Sequence, residues 1–95
     1  MTSTPSIISQ RFVFHGRVQG VGFRQRTRSI ARRFPVVGYV KNLADGTVEL
    51  VVQGPVAGVE GLVQELEADF SGSIVDRVCE NWSGEGEFSG FDIRF

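Results

Sequence analysis

The stretch Gly16–Arg24 reads GRVQGVGFR, with three glycines in its first seven residues and an arginine two places after the last of them. Glycines at 16, 20 and 22 open backbone angles closed to other residues, so successive N–H groups can turn toward one point. Such a ring of amides binds an anion. Where the loop runs into a helix, the first-turn amides have no helical acceptor, and the positive end of the dipole favours a phosphate or a carboxylate. Arg24 adds a planar, permanently charged fork that can grip two oxygens. The spacing is neither that of the P-loop nor that of the dinucleotide fingerprint, and glycine spacing alone fits a plain tight turn beside a solvated arginine equally well.

The elements around the loop decide what it can face. Ile7 to His15 is rich in β-branched and aromatic residues and reads as a first strand. From Phe23 to Phe34 the residues Phe23, Thr27, Ile30, Ala31 and Phe34 fall at helical spacing among five arginines, which predicts an amphipathic helix ended by Pro35. Val36 to Asn42 and Thr47 to Gln53 form a hairpin about Ala44-Asp45-Gly46. After Gly54-Pro55, the stripe Val56, Val59, Leu62, Val63, Leu66 and Phe70 marks a second helix, stopped by Ser71-Gly72-Ser73. Ile74 to Trp82 is a strand, Ser83 to Glu87 a turn, and Phe91, Ile93 and Phe95 a last short strand. Residues 1–6 read as a flexible tail and 7–95 as one domain.

This order is the split βαβ pattern of an α+β, ferredoxin-like sandwich: an antiparallel sheet of four to five strands with two helices on one face. A βαβ crossover returns the second strand parallel to the first, with the hairpin's other strand between them. The loop follows the first strand and Asn42 ends the second. Topology therefore brings Asn42 toward the anion cradle across 18 residues of sequence separation from Arg24.

An arginine, a ring of amides and an asparagine include no conventional nucleophile and no strong base, so a reaction here must need little of either. Hydrolysis of an acyl phosphate fits, because its carboxylate leaving group departs without much protonation and positioning plus charge stabilisation can suffice. Asn42 suits a water-holding role: its amide accepts and donates without the repulsion an aspartate would meet beside a dianion. With no protein base in the set, the substrate phosphate would take the water's proton.

Two stretches, GRVQGVGFR at 16–24 and GYVKNLADGTVELVVQG at 38–54, resemble the acylphosphatases. The second carries that family's spacing of Gly38, Tyr39, Asn42, Gly46, Val48 and Gly54, and the likeness extends over residues 8–95, weakest after Phe70. The resemblance implies that Arg24 binds phosphate, that Asn42 orients the attacking water, and that the amides of Arg17, Val18, Gln19, Gly20, Val21, Gly22 and Phe23 form the cradle. It also implies no metal and no cofactor. The helix end at Arg33-Phe34-Pro35 and the segment 80–89 depart from the pattern, which bears on substrate preference.

Other residues invite roles. His15 beside the loop invites a general-acid role, the usual one for a histidine, yet this leaving group scarcely needs an acid, and the ring can as well cover a strand edge or contact solvent. Gln19 can contact substrate or bond across the turn. Lys41 points to the sheet face opposite Asn42. Cys79 reads as a packed, inert thiol, and Trp82 and the eight phenylalanines as core.

The whole chain bounds these readings. Its 95 residues suit one core. With one cysteine and one histidine, an internal disulfide and a Cys/His metal cluster are ruled out. No apolar run spans a membrane and residues 1–8 make no signal peptide, so a cytoplasmic location is expected. Net charge is −1, but residues 1–44 hold eight basic side chains and no acid, while 45–95 hold all eleven acids. That asymmetry would steer a small anion to the loop. It would also suit nucleic acid, so the rival readings are an RNA-binding ferredoxin-like domain and a non-catalytic phosphate sensor. Neither central strand carries the aromatic pattern that stacks RNA bases, so the expected partner is a small acyl phosphate, with no nucleic acid, no membrane and a monomeric chain.

Overall fold

The computed structural model describes residues 6–84 and 88–95. The expected tail at 1–6, apart from Ser6, and residues 85–87 of the expected turn lie outside the described residues. Seven elements follow in order: β1 (Ile7–Gly16), α1 (Phe23–Ala31), β2 (Val37–Asn42), β3 (Val48–Pro55), α2 (Val56–Asp69), β4 (Ile74–Asn81) and β5 (Phe91–Arg94). The strands form one sheet in the order β4-β1-β3-β2-β5. As the βαβ argument requires, β3 lies antiparallel between β1 and β2, pairing Phe14 with Val48 and Asn42 with Val48.

One expectation needs correction. The sheet is mixed rather than antiparallel, because β5 runs parallel to β2 with Gly38 opposite Phe91 and Lys41 opposite Arg94. The cause is the route of the chain. It leaves β4 at one edge of the sheet and reaches the far edge at the start of β2, where Gly38 N–H donates to Gly90 O at 3.0 Å. A tight hairpin would have laid β5 antiparallel beside β4; the crossing also reverses the chain but lays β5 beside β2, which itself runs opposite to β4, so the new pair is parallel.

Alternation along the strands builds the core. Phe12 and Phe14 of β1, Val40 of β2, and Val48, Leu50 and Val52 of β3 point to one face and are buried against Phe23, Ile30, Val59, Leu62 and Leu66 of the helices. Helix α1 stops at Ala31, three residues short of Phe34. Its last bonds tighten to i→i−3 steps, Arg33 N–H to Ile30 O and Phe34 N–H to Ala31 O. Pro35 is the reason, since the residue before a proline is driven from helical angles. Two further readings are corrected. Cys79 is exposed, because β4 is an edge strand reaching beyond the cover of α2. Trp82 leaves the main core and meets Tyr39 edge-on at 6.4 Å, and Phe95 is 94% exposed.

Candidate active site

Strand β1 ends in an irregularity between His15 and Gly16, and Arg17 N–H donates to Ser73 O at 2.9 Å. That bond uses the Arg17 amide, so the expected ring of free amides loses its first member. Val18 then drops its side chain into the core and Phe23 does the same at the head of α1, seated between Phe14 and Phe70. Between these two anchors Gly20 and Gly22 take φ of 75° and 80°. Any other L-residue would be strained at those angles.

The consequence is a run of uncommitted donors. From Val18 to Gln25 no described residue accepts a hydrogen bond from a backbone N–H, and the first helical bond is Arg26 N–H to Gly22 O at 3.0 Å. Gly22 is the N-cap and supplies no side-chain acceptor. A cavity of about 220 Å³ opens here, lined by Val18, Gly20, Gly22, Phe23, Arg24 and Gln25. Helix dipole, free amides and a guanidinium meet at one point, an arrangement suited to an anion. A larger cavity of about 380 Å³ lies elsewhere, between α2 and the β1–β4 edge, with Glu60 and Glu67 in its wall. Those carboxylates would repel phosphate.

Arg24 is half-buried. Its guanidinium lies 4.9 Å from the centre of the Phe95 ring, and Nη1 is 3.4 Å from Arg94 O. Because Arg94 pairs with Lys41 in the β2–β5 register, Arg24 leans over the strand end beside Asn42. Asn42 is half-buried and its Oδ1 is buried with no hydrogen-bond partner among the described residues. The side chain of Gln19 crosses from the loop to the β2–β3 turn, where Nε2 donates to Leu43 O at 2.8 Å and to Thr47 O at 2.9 Å. The loop and the segment after Asn42 are thus in direct contact, and of the two roles open to Gln19 the bond across the turn is the one observed.

The turn that receives Gln19 is itself tied. Leu43 N–H donates to Thr47 O, and Asp45 Oδ1 accepts from both the Thr47 amide and its hydroxyl, which holds the Asp45 carboxyl below its ordinary range. His15 pairs with Asp76 across the β1–β4 ladder, and Lys41 pairs with Glu49 on the sheet face turned away from the helices. On that face Glu49 accepts from Arg11 at 2.6 Å and from the Tyr39 hydroxyl at 2.8 Å. Burial, and then the bond to Glu49, push the Tyr39 phenol up to about 12. This network supports the strands rather than the loop.

Of the arginines in and just after α1, two are neutralised by α2: Arg26 meets Asp69 at 2.5 Å and Arg33 meets Glu65. Arg24 and Arg28 form no ion pair with any described residue, so positive charge persists beside the cavity. Residue reasoning did not foresee the part played by β5. The alternation at 91–95 signalled a strand, but nothing in that pattern placed it against β2, where its end carries the groups that Arg24 touches.

A family model described as acylphosphatase matches residues 10–93. The acylphosphatase of Salinibacter ruber is 40% identical over 94 residues, 98% of this chain and 97% of that protein. That of Anaeromyxobacter dehalogenans is 43% identical over 89 residues, 93% and 96% of the two chains. Among solved structures, an acylphosphatase from Bacillus subtilis superposes with a TM-score of 0.82 at 29% identity, covering 95% of this chain and all of that one.

Proposed function

Because the chain belongs to the acylphosphatase family, we propose that it hydrolyses small-molecule acyl phosphates to a carboxylate and inorganic phosphate, at the loop 18–24 and Asn42. The observation that carries this placement is the run of free amides from Val18 to Gln25 at the head of α1, beside Arg24. The amides and the guanidinium hold the phosphoryl oxygens and stabilise the charge on them as the transition state forms. Asn42, whose Oδ1 has no hydrogen-bond partner among the described residues, orients the attacking water through its amide so that the water's lone pair aims at phosphorus. The new P–O bond forms as the bond from phosphorus to the acyl oxygen breaks, and that electron pair leaves on the carboxylate. The water's proton passes to a phosphoryl oxygen, so no protein base is required.

The reading includes no resident metal and no cofactor, and among the described residues no three His, Cys, Asp or Glu side chains gather as a ligand set. It includes a monomer and a cytoplasmic location; among the described residues no helix is long and apolar enough to cross a membrane. RNA binding gains no support. Tyr39 is 6% exposed and packs against Trp82 and Phe88, so it offers no open face for a base.

Hydrolysis of benzoyl phosphate in ¹⁸O-labelled water tests the reaction. Label should enter phosphate, at a rate unchanged by a chelator. Label in benzoate would place the attack at carbon, and loss of turnover with chelator would sink the metal-free mechanism.

A further inference from the structure

We infer that Gln19 is a positioning residue: its amide fixes the distance between the anion loop and Asn42, and so between the held phosphoryl group and the water that attacks it. The inference rests on the site reading given above.

Two facts set Gln19 apart from its neighbours. A primary amide nitrogen has two hydrogens, and both are used, one on Leu43 O at 2.8 Å and one on Thr47 O at 2.9 Å. What remains is Oε1, an acceptor that a phosphate dianion repels. The Gln19 side chain therefore is not an anion ligand. The two carbonyls also flank Asn42 closely: Leu43 follows it directly in the chain, and Thr47 precedes Val48, its partner in the β2–β3 register.

The wall that Gln19 grips is rigid without it. Leu43 O also accepts from Gly46 N–H at 3.2 Å, and Thr47 O from Leu43 N–H at 2.8 Å, while Asp45 ties Thr47. Removing the Gln19 amide leaves each carbonyl one donor, so the turn persists. The loop is different. Gly20, Val21 and Gly22 are exposed, and between the buried side chains of Val18 and Phe23 the Gln19 amide is the loop's only side-chain hydrogen bond among the described residues. Losing it frees the loop to shift against Asn42, and a displacement of about 1 Å can cost on the order of 100-fold in rate.

The test is Gln19→Ala, with Gln19→Met as the uncharged variant of similar length that lacks the donors, each assayed well below its own melting temperature. Turnover of benzoyl phosphate should fall in kcat by about 10- to 100-fold, while inhibition by inorganic phosphate stays within about threefold, because the amides and Arg24 move with the loop. Backbone order parameters of Gly20–Gly22 should drop from about 0.85 to below about 0.6 in Gln19→Ala. A variant that melts lower but keeps kcat within about twofold would reduce Gln19 to a stabilising contact and overturn the proposal. So would a loss of phosphate binding that matches the loss of rate, which would make Gln19 a ligand. The order parameters need no turnover: unchanged values overturn the brace, whereas an unmodified chain that hydrolyses nothing overturns the site reading instead.

Discussion

Single residues here separate into those that touch the anion cavity and those that hold the sheet. Arg24 is the former: it lines the cavity, and its contacts to Phe95 and Arg94 O aim it without neutralising it. Tyr39 is the latter. Its phenol is pushed up to about 12 from 10.0 by burial and by the bond to Glu49. A folded-state value above the unfolded one means stability that is complete below pH 10 and lost as pH rises toward 12. The full loss is on the order of 3 kcal/mol, taking about 1.4 kcal/mol per pH unit. Thermal melts at pH 8 and pH 11.5 should show a marked fall for the unmodified chain and a smaller one for Tyr39→Phe; equal falls would mean that Tyr39 is not the titrating group. Asp45 acts at the other end of the scale. Its lowered value means support for the β2–β3 turn that is present above the ordinary carboxylate range and fades as pH falls through the folded value.

At the scale of elements, the loop between β1 and α1 is where local sequence says most. Gly22 caps the helix at φ 80°, and beyond its chain neighbours no described residue lies within 4 Å of where a Cβ would stand. The cost of Gly22→Ala is therefore backbone strain alone, about 1–2 kcal/mol. For a domain of this size that lowers the melting temperature by roughly 5–15 °C. Calorimetry checks it, and a melting temperature unchanged within about 1 °C would contradict the strained-cap account. Most of this element was legible in advance: glycines at 20 and 22, then apolar residues at helical spacing, specify a left-handed entry into α1. What local pattern did not hold was the reach of side chains between elements. Gln19 looks the same in sequence whether it faces substrate or the turn at 43–47, and only the strand order decides. The partner of β5 was hidden for a similar reason, since the chain reverses after β4 but crosses to the far edge and pairs with β2 rather than with β4. Cys79 was misread because its apolar neighbours Val75 and Val78 suggest a covered strand, whereas β4 is an edge, with Val75 83% exposed.

Over the whole molecule, charge and topology converge on one corner. The basic first half of the chain supplies the loop and α1, and α2 from the acidic half neutralises Arg26 and Arg33 while leaving Arg24 unpaired among the described residues. The sheet then carries Asn42 to the same corner on β2, with β5 alongside it as the rest on which Arg24 leans. Holding phosphate and holding water are thus assigned to different elements, and that division is the central claim. Steady-state kinetics with inorganic phosphate as inhibitor, run in parallel on Arg24→Ala and Asn42→Ala, measure it. Arg24→Ala should weaken phosphate inhibition and lower kcat/KM by about 100-fold or more, whereas Asn42→Ala should lower kcat by a similar factor with phosphate inhibition nearly unchanged. Equal loss of phosphate binding in both variants, or full turnover in either, would contradict the division.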